Sequence, residues 1–157
     1  VSVDPEKDIA KFVVASGYGD NVVSVGFVRG LGLNKGAFGT NLHGSSGNIA
    51  VVGVDDEDIA TAINELKKAK GGFVAVDKKR VSVLPLPVYG VVSTLDAETL
   101  HEEMKKMLAS VKRFGCKLSD PFAVVGNLMN LDRIGICITT SGMVDTRTDE
   151  IINVFKE

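Results

Sequence analysis

Hydrophobic and polar residues follow two rhythms along the chain. In the first 90 residues, short runs rich in Val, Ile and Phe are separated by glycines and polar clusters. Residues 9–15 and 22–28 predict two strands, and Gly17, Gly19, Asp20 and Asn21 between them predict a hairpin turn. Residues 37–42 make a weaker strand. Residues 48–54 form an apolar run without alternation, which predicts a central strand buried on both faces. Strands at 72–76 and 80–84 bracket Asp77, Lys78 and Lys79 as a second hairpin. Pro85 and Pro87 then read as a rigid strand exit, because proline fixes φ and lacks the ladder N–H.

Later in the chain the apolar period changes to that of helices. Over 56–70, Ile59, Ile63 and Leu66 share a face; Asp55 is the expected cap and Gly71 the expected stop. Over 97–114, Leu100, Met104, Met107, Leu108 and Val111 form a stripe. Asp96 caps it, Leu95 and Leu100 form a hydrophobic staple, and Gly115 ends it. A third helix is expected over 120–130, with Ser119 as cap and Pro121 in its first turn, and a short fourth over 148–155. Strands gather early and helices late, with hairpins rather than regular strand–helix alternation. The expectation is an α+β fold: one domain over 1–157, with a largely antiparallel sheet and helices packed on it.

Composition narrows the chemistry more than the fold. Hydrophobic residues are 45% and charged residues 24%, so a packed core is available. The net charge of −2 offers no basic stripe, which argues against a nucleic-acid partner. No apolar run approaches 18 residues, so no membrane partner is expected. Two cysteines make no disulfide framework and fit a reducing cytoplasm. Cys116, Cys137, His43 and His101 do not form a metal-ligand spacing, so no metal or cofactor is expected on this chain. The two thiols read as small buried hydrophobes and His101 as a solvated residue.

Three segments invite a functional reading. Gly30, Gly32 and Gly36 imitate a dinucleotide loop, but the third glycine is one residue late and no helix follows; a tight turn between two strands is expected instead. The acids Asp55, Asp56, Glu57 and Asp58 suit a helix start better than a cation loop, which needs alternate acids around a glycine. The stretch from His43 through Gly44, Ser45, Ser46 and Gly47 to Asn48 combines small residues with hydroxyls and an amide. It supplies the candidate ligand-binding residues His43, Ser45, Ser46 and Asn48, although an ordinary surface loop explains the same composition.

The order of segments resembles the adenine deaminase C-terminal domain. Residues 26–37 are similar to that family's "GFV-GFGL-GA", residues 48–58 to "NIIVVG-DDEDM", and residues 84–93 to "LPLPIAGLMS". Residues 115–122 resemble "GC-L-DPF", and residues 141–145 resemble the closing "RGLVDV". The resemblance covers nearly the whole chain. It implies an amidohydrolase context, in which adenine is hydrolysed to hypoxanthine and ammonia in purine salvage. There the chemistry belongs to an N-terminal barrel whose divalent metal activates water. No part of that barrel lies in these 157 residues.

Two departures stand out. The family's "HDSHN" aligns with Gly44, Ser45, Ser46, Gly47 and Asn48, so both histidines and the aspartate are replaced. The family's "ERH" falls near Ala15, Ser16 and Gly17. The expectation is a deaminase-related accessory, assembly or ligand-binding module with no catalytic residue of its own, inactive alone. The alternatives are a subunit of a two-chain adenine deaminase whose barrel chain carries the metals, and a small purine or anion binder or enzyme using the 44–48 loop. The partners left open are a second copy of the chain and a separate amidohydrolase barrel. The helix over 97–114 is one candidate docking face, although its methionines fit a core equally well.

Overall fold

The apolar run at 48–54 becomes a strand with both faces covered, and the rest of the molecule is arranged around it. A computed structural model describes residues 2–17, 19–42 and 47–153. Six strands build the main sheet: β1 (Ile9–Ala15), β2 (Val23–Arg29), β3 (Ala37–Thr40), β4 (Ile49–Gly53), β5 (Gly72–Asp77) and β6 (Arg80–Pro85). They lie in the order β2-β1-β4-β3-β5-β6, and every neighbouring pair is antiparallel. The fold is therefore α+β, with both expected hairpins in place.

Alternation along β1 shows how the sheet divides the core. Phe12 and Val14 point to one face, where they join Phe38, Val52, Phe73 and residues of two helices, α2 (Ala97–Arg113) and α3 (Pro121–Asn127). Phe122 of α3 sets its ring edge-on to Phe38 and Phe73, with centroids 5.5 and 5.0 Å apart. Val13 and Ala15 point to the other face. There Val51, Val74 and Val76 meet Ile59, Ala62 and Leu66 of α1 (Asp56–Ala69). Every residue of β3 and β4 is buried, so neither strand could alternate with polar residues. Met107 is buried and Met104 packs on the same cluster, which places the methionines of α2 in the core.

Several expectations are corrected. The described part of the segment 148–155 is not a helix. Within its described part, Glu150–Ile152 is β9, which pairs with β8 (Gly142–Asp145); β8 in turn pairs with β7 (Ile136–Thr139) in a separate three-stranded sheet. Asp145 accepts the backbone N–H groups of Thr148 and Asp149 on its carbonyl, which reverses the chain. The β-branched Ile151 and Ile152 then extend it. The small sheet packs on β2 at Gly26, where a side-chain carbon would stand 2.5 Å from Ile138 Cδ1. Residues 30–36 are not a tight turn either. They carry the chain from the edge strand β2 past β1 and β4 to β3, and bury Leu31 and Leu33 on the way. Asp120, not Ser119, caps α3 by accepting the Ala123 N–H at 3.1 Å. Lys70, not Gly71, takes the left-handed cap of α1, at φ 59°.

Because Phe38 is fully buried and meets the Phe122 ring edge-on, Phe38→Ala should lower stability by about 3–5 kcal/mol. The shift of the urea unfolding midpoint measures this.

Candidate functional site

The antiparallel ladder gathers the loops at two opposite edges. At one edge β1, β3 and β6 end while β2, β4 and β5 begin. His43, Ser45 and Ser46 lie outside the described residues. Asn48 is described and stands half-buried just before β4.

The loop is anchored upstream by buried polar side chains that the sequence reading passed over. The Thr40 hydroxyl donates to the Gly72 carbonyl at 2.8 Å and accepts the Leu42 N–H at 2.9 Å. Asn41 Oδ1 accepts the Gly72 N–H at 2.7 Å. The Leu86 N–H completes the junction on the Gly71 carbonyl at 3.1 Å. One node thus holds the end of β3, the exit of α1, the start of β5 and the exit of β6. Its close approaches require glycine: a side-chain carbon at Gly90, whose φ is +74°, would lie 2.1 Å from Asn41 Nδ2. The only local hint in the sequence is the Gly71–Gly72 pair, because the partners are distant along the chain.

Downstream, the loop returns against the end of β1. Ala15 pairs with Ile49, and a side-chain carbon at Gly17 would stand 2.2 Å from the Gly47 carbonyl oxygen. The buried Ser16 hydroxyl bonds Asp20, which with the Val22 amide holds that carboxyl below its usual range. The two segments that depart from the "ERH" and "HDSHN" patterns are therefore neighbours in space. Asn48 also borders a cleft of about 500 Å³, which Met129, Thr139, Thr140, Ser141 and Ile151 help to line. Its amide and hydroxyls offer donors and acceptors against apolar walls.

The opposite edge holds the acidic run, and structural duties occupy it. Asp55 accepts the N–H groups of Glu57 and Asp58 at 3.0 and 3.1 Å. Asp56 pairs with Lys11. Asp58 is buried and accepts the Lys78 N–H at 2.8 Å, tying α1 to the β5–β6 hairpin. These groups do not fit a metal centre, and no three His, Cys, Asp or Glu side chains converge among the described residues. Burial pushes both Cys116 and Cys137 thiols up, the opposite of what a nucleophile needs. His101 is exposed on α2. No described helix is long and apolar enough to cross a membrane.

A main sheet covered by helices on both faces, with its loops gathered at two opposite edges, defines an α+β module. The adenine deaminase C-terminal domain model matches residues 1–150. Adenine deaminase of Methanosarcina acetivorans is 34% identical over 154 residues, which is 98% of this chain and 28% of the relative. Adenine deaminase of Brucella abortus is 38% identical over 154 residues, covering 97% and 26%. Adenine deaminase of Gluconobacter oxydans is 40% identical over 147 residues, covering 92% and 26%. The chain belongs to the adenine deaminase C-terminal domain family, and it spans about a quarter of the length of the curated relatives it matches.

Asp58 yields a test of the acidic corner. Burial, and then the nearby acids Asp55, Asp77 and Glu57, raise its folded pKa above 3.8, while the Lys78 amide opposes them. Its ionised form is thus penalised in the folded state, and the penalty is relieved as pH falls through the raised value. Asp58→Asn keeps an acceptor for Lys78 and should be more stable than the parent at pH 7. That advantage should shrink towards zero by about pH 3, once the carboxyl is protonated folded and unfolded alike. Urea midpoints of both proteins at several pH values read it directly.

Proposed function

We propose that this chain serves an adenine deaminase as a non-catalytic domain. In this reading it assembles with a metal-bearing amidohydrolase barrel that hydrolyses adenine to hypoxanthine and ammonia, within cytoplasmic purine salvage. The observation that carries the reading is the backbone contact of Gly17 on Gly47. It lies where the chain departs from both polar family patterns. Position 17 has no room for the side chain that a shared polar site would place there. The scaffold around it is well formed: the paired strands, the Thr40–Asn41 node and the closely packed glycines support a loop edge.

The purified chain, mixed with adenine and iron, manganese or zinc, should release no ammonia above the buffer rate. Turnover in the range of ordinary enzymes, about 1–1000 per second, would overturn the reading.

A second reading is favoured by the cleft beside Asn48: a small purine-like ligand held at the same edge by His43, Ser45, Ser46 and Asn48. The cleft's amide and hydroxyls, beside the Asp149 carboxylate, suit a nucleobase edge better than an anion. Adenine and hypoxanthine should then raise the melting temperature of the chain, and Asn48→Ala should abolish the shift. An equal shift in the variant would place any binding elsewhere.

A further inference from the structure

Strand alternation puts polar residues on the helix-facing side of β6. Arg80, Ser82 and Leu84 share that side, opposite Asp77, Ala75 and Phe73 of β5. Leu84, Ala75 and Phe73 belong to the core beneath α2 and α3, whereas Ser82 and Arg80 are exposed. β6 is the outermost strand of the main sheet, and a cleft of about 390 Å³ lies between its start and the end of α2. Small-molecule sites occupy about 300–1,000 Å³.

Basic side chains from four separate segments meet at this cleft. Lys35 comes from the connection before β3, Lys79 from the β5–β6 turn, Arg80 from β6 and Arg113 from the last turn of α2. Asp77 is the one carboxylate among the lining residues, and Lys35 pairs with it at 2.8 Å. Lys79, Arg80 and Arg113 form no ion pair with a described residue. The excess of positive charge is local, because the chain as a whole carries −2. A cation in the last turn of α2 suits the helix dipole, but the dipole does not account for the three that reach the cleft from elsewhere.

Both walls of the cleft are fixed by hydrogen bonds. The buried Ser110 hydroxyl accepts the Arg113 Nη2–H at 2.8 Å and donates to the Lys106 carbonyl at 3.1 Å. That contact uses one of the five guanidinium N–H groups. On the other wall, Asp58 accepts the Lys78 N–H at 2.8 Å, which holds the turn that carries Lys79 and Arg80. The buried Ala75 and Phe114 also line the cleft, and apolar surroundings strengthen the attraction between charges. Guanidinium forks match the oxygens of a phosphate bidentately, and the exposed Ser82 hydroxyl adds a donor.

We propose that this cleft binds the phosphate group of a phosphorylated small molecule, held by Arg80, Arg113 and Lys79 with Ser82 as a further donor. The site lies at the edge of the sheet away from Asn48 and does not depend on the role proposed above. A nucleic-acid strand would need a track of cations along its backbone, whereas these gather in one cleft.

Titration of the purified chain with pyrophosphate at physiological ionic strength, followed by amide NMR, tests the site. Expected are saturable shifts at Arg80, Ser82 and Arg113, with a dissociation constant below about 1 mM. Arg80→Gln and Arg113→Gln should each weaken binding at least tenfold. Lys68→Gln, on α1 across the sheet, should leave it unchanged. Arg80 is exposed, so Arg80→Gln should keep the parent's melting temperature and read binding alone. Absence of saturation, unchanged affinity in both arginine variants, or equal weakening by Lys68→Gln overturns the site. A short thymidine oligonucleotide that binds at least tenfold tighter than pyrophosphate overturns the small-molecule ligand.

Discussion

The covering of the central sheet on both faces is the constraint on which the rest depends. β3 and β4 have no exposed residue, so their backbone groups must be satisfied by neighbouring strands and their side chains by helices on either side. α1 meets that demand on one face, and α2 with α3 on the other. With both faces covered, the loops between strands gather at the two opposite edges.

At the loop-bearing edge, four chain segments converge with little room. The buried Thr40 and Asn41 side chains replace ladder hydrogen bonds at a point where β5 begins and β6 leaves, and glycines at 71, 72 and 90 let the backbones approach. Buried polar groups are costly when unpaired and specifying when paired; here both side chains are hydrogen-bonded into the frame. The frame holds Gly90, next to Tyr89, on one side and Leu42 on the other. A shared junction of this kind couples the shape of both to the fold.

Family membership and local chemistry point the same way, for different reasons. The family match follows from segments distributed over the chain. The chemistry follows from what the potential catalytic groups are doing. The acids at α1 cap, pair or tie elements together, and the buried thiols are held protonated by desolvation. Glycines occupy the place where the polar family patterns would meet.

Period and capping chemistry alone determined much of the architecture. The β4 run, the two hairpins, and the starts of α1 at Asp55 and of α2 at Asp96 are local features, since a cap or an apolar period acts within a few residues. Other elements depended on partners far away in the chain. The strands β7, β8 and β9 are short, and β2 with Gly26 gives them a surface to pack on. The glycines at 30–36 look like a turn until the strand order shows a crossing over two strands. The sequence by itself determined which faces are apolar and where α1 and α2 begin. The tertiary structure alone decided that Gly17 meets Gly47 and that Asn41 meets Gly72 and Gly90. These are contacts between segments separated by tens of residues, and no periodicity within a single element encodes them.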